Sequence, residues 1–135
     1  MGTRKETRNR MHELKLKRSY EPESEEDGAR ILVDRLWPRG ESKVKADLTE
    51  WDKSIAPESG LRREFHEGEL SFEEFKKKYL AQLDASDDAR VFASHVKDLL
   101  EKGDVTLLFA SKDEAHNNAV VLKEWLDQKP GLDRS

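Results

Sequence analysis

The chain has 135 residues, of which 35% are hydrophobic and 40% charged, and a net charge of −4. That length suits one domain. A domain of this size buries only about two-thirds of its unfolded surface, so its few apolar runs are core before anything else. Cysteine is absent, which excludes disulfides, thiolate metal sites and cysteine nucleophiles.

The apolar runs fall far short of a membrane span. The N-terminal MGTRKETRNR has charge but no apolar stretch behind it. Neither a membrane segment nor a secretory signal is expected, and a cytoplasmic location follows by default. Charge is spread unevenly: residues 1–18 carry seven Lys/Arg against two Glu, which leaves −9 for the remainder. Residues 1–11 are read as a disordered leader, 12–129 as one domain and 130–135 as a disordered tail.

In chain order, ELKLKR (13–18) alternates as a half-buried strand does. YEPESEEDG (20–28) is an acidic loop ending in an Asp-Gly turn signal. RILVDRL (30–36) is apolar and β-branched enough for a buried strand. Residues 37–60 are irregular, but Trp37 and Trp51 need packed partners, so the segment wraps the core. A short helix is expected over 58–66. Ser71 and Glu74 make a capping box for the next, and 88–102 forms another that stops at Gly103. VTLLFA (105–110) is the most apolar strand and should be central, followed directly by a helix over 114–128. Buried strands alternating with helices predict an α/β fold: a small, mainly parallel sheet of three to four strands flanked by helices.

In such sheets ligands gather beyond the carboxyl ends of the strands. Two of those ends carry unusual residues, VDRLWPRG (33–40) and FASKDEAHN (109–117). At the second, a helix N-terminus with Ser111 and Lys112 would favour an anion, or Ser111 or Asp113 would simply cap the helix. At the first, Asp34 and Arg35 should face opposite ways along the strand. Arg35 and Arg39 would then serve a ligand, or the charges would pair internally, for example Asp34 with Arg62. His66 and Arg62 share a helix face, His66 reading as an exposed helix-end residue. His12, His95 and His116 lack paired metal-ligand spacing, and there is no glycine-rich P-loop, so neither metal nor cofactor is expected.

DGARILVDRLWPRG, WDKSIAP (51–57), LRREFH (61–66), FEEFKKKYLAQL (72–83) and VTLLFASKDEAHNNAVVL (105–122) occur in this order. On these segments the chain, over about residues 14–127, resembles the YeaO-like bacterial proteins, the domain of unknown function numbered 488. The resemblance implies a compact cytoplasmic α/β domain but no particular reaction. Its shared polar positions match Arg18, Arg30, Asp34, Arg35, Arg39, Lys53, Arg62, His66, Lys112 and Asn117. Glu58 is a departure, lying between Pro57 and Ser59 where relatives run Pro-Ser directly.

Three functional readings follow. The first is an enzyme or a binder for an anionic small molecule, bearing phosphate or carboxylate. It would use Arg35, Arg39, Lys53, Arg62 and Lys112, supported by Asp34, His66, Ser111 and Asn117. No triad spacing supports a hydrolase. The second is a nucleic-acid-associated protein using the basic arm and the tryptophans, which could stack on bases; the acidic body counts against it. The third is a protein-interaction module in which Trp37 and Trp51 make the contact.

Overall fold

The computed structural model describes residues 12–128, so the expected leader 1–11 and tail 130–135 lie outside the described residues. The elements are β1 (Leu14–Arg18), β2 (Ala29–Leu32), α1 (Lys43–Ala46), β3 (Glu50–Trp51), α2 (Ser59–His66), α3 (Phe72–Ala85), α4 (Asp87–Leu100), β4 (Val105–Phe109) and α5 (Asn118–Asp127). A 3-10 turn at Glu25–Asp27 precedes β2. The four strands form one parallel sheet in the order β1-β4-β2-β3.

β4 lies between two neighbours because all five of its residues are apolar or small enough to be buried. β1 alternates Leu with Lys and takes an edge. β2 stops at Leu32, shorter than the expected strand over 30–36, although the Val33 amide still donates to the Leu108 carbonyl at 3.1 Å.

The two faces of the sheet differ. Val105, Leu107 and Phe109 join Ile31 in one core with the buried residues of α2, α3, α4 and α5, and Leu14 and Leu16 pack against it. These residues are in register across the sheet, and side chains alternate along a strand, so these helices occupy one face. The intervening residues, Lys15, Lys17, Arg30 and Thr106 with the buried Leu32 and Leu108, point the other way. That outer face carries a polar lock. Asp27 accepts from Arg30 Nη1 at 2.5 Å, from Lys17 Nζ at 3.1 Å and from the Ser24 amide at 3.1 Å. Arg30 also donates to the Ala46 and Asp47 carbonyls, and Thr106 Oγ1 donates to the Asp27 carbonyl. The 3-10 turn and α1 are thereby fastened over the outer face.

β1→β2 and β2→β3 cross over this outer face in one direction, while β3→β4 returns over the helical face. Direction and face reverse together, as one crossover hand requires. Two helix starts follow from capping serines. Ser71 Oγ accepts from the Glu74 amide while Glu74 returns a bond to Ser71 N, and Ser86 Oγ accepts from Ala89 N. The last helix departs from expectation. It begins at Asn118, not 114, because Asn117 caps it by accepting from Val120 N. Residues 110–117 form a loop, in which Ala115 is exposed.

Candidate functional site

A cavity of about 380 Å³ opens at the carboxyl ends of β1, β2 and β4. It is lined by Tyr20 after β1, Asp34 to Arg39 after β2, Pro57 before α2, Arg62, Phe65 and His66 from α2, Phe75 from α3, and Ala110, Ser111 and His116 to Asn118 between β4 and the start of α5. It lies where the chain leaves β1 and β2 over the outer face but leaves β4 toward α5 on the helical face. Reversals of this kind hold crevices apart in open α/β sheets.

Each wall has its own fastening. In the loop after β2, Trp37 and Trp51 meet edge to face with ring centroids 5.3 Å apart. Trp37 Nε1 donates to the Glu41 carbonyl and Trp51 Nε1 to the Asp34 carbonyl, and Tyr20 Oη donates to the Arg39 carbonyl at 2.7 Å. Arg35 Nε donates to the Pro57 carbonyl at 3.3 Å. The 51–57 segment is held from behind as Tyr79 Oη donates to the Ile55 carbonyl at 2.5 Å and Gln82 Nε2 to Ala56 at 3.0 Å. In the loop after β4, Arg18 Nε donates to the Ala110 and Ser111 carbonyls. Asp113 Oδ1 accepts from the Ala115 and His116 amides.

Asp34 sits at the junction. Its Oδ2 accepts from the Ala110 amide at 2.9 Å and its Oδ1 from Asn118 Nδ2 at 3.1 Å, tying the ends of β2 and β4 to the start of α5. Burial pushes its carboxyl above the ordinary value; the two N–H bonds and the Arg62 and His66 charges pull the other way without reversing the shift. The expected alternative, an Asp34–Arg62 ion pair, is absent among the described pairs within 4.0 Å.

Of the sequence-expected residues, Arg35, Arg39, Arg62, Asp34, His66, Ser111 and Asn117 line the cavity. Two do not. Lys53 is exposed, with Nζ 4.4 Å from the Trp51 ring centroid, and Lys112 is exposed on its loop outside the lining. Of the five expected cations, Arg35, Arg39 and Arg62 therefore share the cavity. Asp34 and Arg35 do not face opposite ways on a strand either. Both lie beyond β2, where alternation no longer holds, and both line the same space. Sequence reading missed Tyr20, Phe65, His116 and Asn118 as lining residues. Asn118 had a signal: of two adjacent asparagines opening an apolar helix, one caps it and the other is left with a polar side chain to place. Among the described residues no His/Cys/Asp/Glu group could hold a metal, and no helix is long and apolar enough to cross a membrane.

Fold and cavity together define a small parallel α/β protein with an arginine-lined cleft at the ends of its strands. The chain belongs to the DUF488 family: the family model described as the inactive DUF488-N3 subclade matches residues 13–133. It is 41% identical over 113 residues to the uncharacterized protein YeaO of Escherichia coli (strain K12), covering 84% of this chain and 96% of that one. Two mycobacterial proteins, uncharacterized protein Rv3073c of Mycobacterium tuberculosis (strain ATCC 25618 / H37Rv) and uncharacterized protein Mb3100c of Mycobacterium bovis (strain ATCC BAA-935 / AF2122/97), are each 32% identical over 114 residues. Each of those matches covers 84% of this chain and 93% of the relative. No solved structure matches the chain.

Proposed function

We propose that the cleft binds a small phosphate- or carboxylate-bearing ligand in the cytoplasm and does not turn it over. One observation carries the reading. Arg35, Arg39 and Arg62 line one cavity, and among the described residues none forms an ion pair within 4.0 Å. Gathered guanidinium groups repel one another unless a negative charge is brought in, and their planar donors suit phosphate or carboxylate. Asp34 cannot serve as that counter-charge by contact, since its described bonds go to Ala110 N and Asn118.

Binding without reaction is supported by how the reactive groups are engaged. The Ser111 hydroxyl is committed to the backbone of Asp113, and His116 pairs with Asp113. Among the described residues no nucleophile is bonded to a histidine base, the arrangement that activates a hydroxyl. The description of the matching subclade as inactive points the same way.

The test is thermal unfolding with and without phosphate or sulfate. An anion at one hundred times its dissociation constant should add about 2.7 kcal/mol. Arg39→Ala, at an exposed residue without an ion pair, should melt within about 0.5 kcal/mol of the parent, yet lose that protection. If instead Arg39→Ala costs about 3–5 kcal/mol and anions leave the parent unmoved, the arginines are structural and the reading fails.

A further inference from the structure

Resting on that reading, we propose that the ligand is a free nucleoside monophosphate whose base carries a ring N–H. Three features of the cleft go unused by a simple anion. The first is space: about 380 Å³ lies within the range of small-molecule sites and far exceeds what an inorganic phosphate fills. The second is ring surface. Tyr20, Trp37 and Phe65 line the cavity beside the arginines, and Leu36, 57% exposed, adds apolar surface to the same lining. Flat side chains of this kind take a base by stacking, whereas a sugar phosphate alone offers no ring face.

The third is Asp34. A carboxylate has about four lone-pair positions, and the described bonds use one on each oxygen. A half-buried carboxylate left short of donors is costly, so a ligand that brings N–H groups is favoured there. A second anionic group is disfavoured by like charge, which argues against dicarboxylates and diphosphates. A nucleoside monophosphate satisfies all three: its phosphate meets the arginines, its base the rings, its ring N–H the free lone pairs of Asp34. The net charge of −4 opposes a polyanion, so the free nucleotide is assigned rather than a strand end.

The experiment is calorimetric titration of the full chain with inorganic phosphate, ribose phosphate, GMP, GMP methylated on its ring N–H, and a phosphorylated single-stranded oligonucleotide. GMP should bind at least about ten-fold tighter than ribose phosphate, about 1.4 kcal/mol. Methylation should erase most of that gain, and the oligonucleotide should bind no tighter than GMP. Asp34→Asn should lose the gain while keeping the phosphate response; should that variant not fold, the methylated ligand tests the same contact in the parent. If phosphate and ribose phosphate bind but GMP is no tighter, the nucleotide assignment is overturned while the anion reading stands. Methylated GMP binding as tightly as GMP overturns the role of Asp34, and with it the assignment. Tighter binding of the oligonucleotide overturns the free nucleotide in favour of a strand end. No response to any of them, phosphate included, removes both.

Discussion

At Gly28 the backbone adopts φ 66°, and a Cβ there would lie 2.0 Å from the Asp104 carbonyl oxygen. The close approach is productive, because the Ala29 amide donates to that same carbonyl at 3.0 Å and starts β2 in register with Val105. Gly28→Ala combines a left-handed backbone with a backbone collision, so it should cost at least about 1–3 kcal/mol, read as a shift in urea midpoint; an unchanged midpoint would show that the turn relaxes freely. The Asp-Gly pair was legible as a turn, since both residues favour turns locally. Its clamp on Asp104 was not, because nothing local in either segment marks a contact so distant in the chain. Asp34 was singled out for the same local reason, an acid beyond an apolar run. Its partners escaped because one is a backbone amide, which leaves no mark in a sequence.

Among the elements, β4 was the most legible. Five consecutive residues that tolerate burial can only sit inside a sheet, and Leu107 is 0% exposed. Leu107→Ala should therefore cost about 2–5 kcal/mol by opening a cavity in the core, and a variant that melts like the parent would remove β4 from the centre. The start of α5 was misread for a definable reason. Asp113 and Asn117 are both good N-caps, and local sequence does not choose between them. The loop is decided by tertiary bonds, since Arg18 holds the Ala110 and Ser111 carbonyls and Asn118 must reach Asp34. The short β2 has a similar cause. Val33 to Leu36 look like strand by composition, but Trp51 bonds the Asp34 carbonyl and turns the chain into the cleft wall.

For the whole molecule, the charges predict how stability follows pH. Burial alone would raise Asp27, but the Ser24 amide, Lys17 and Arg30 outweigh it and hold its carboxyl below the ordinary value. Asp104 is likewise held low: burial again opposes, but the Glu13 amide and Lys15 prevail. Depressed carboxyls contribute stability that is present above their unfolded value and lost as pH falls through the folded one. The melting temperature should therefore drop below about pH 4. Asp34 acts in the opposite sense, since a raised carboxyl favours the folded state where it is protonated and withdraws that support as pH rises. Asp27→Asn should flatten the acid limb and Asp34→Asn should not, which a melting series across pH resolves.

Because α2 to α5 share one face of the sheet, the molecule has a thick side and a thin one. The thin cover, the 3-10 turn and one-turn α1, is fastened through Arg30 and Asp27. Segments with so little buried apolar contact open locally at a fraction of the global free energy. Amide hydrogen exchange should accordingly be lopsided, fast over residues 43–51 and slow in β4, where only global unfolding releases the protons. Trp51 joins the two regions, since it pairs with β2 from the thin side and bonds the Asp34 carbonyl at the cleft. A ligand that holds Asp34 should then slow exchange around residue 51, making backbone protection on the thin side a distant reporter of occupancy at the strand ends.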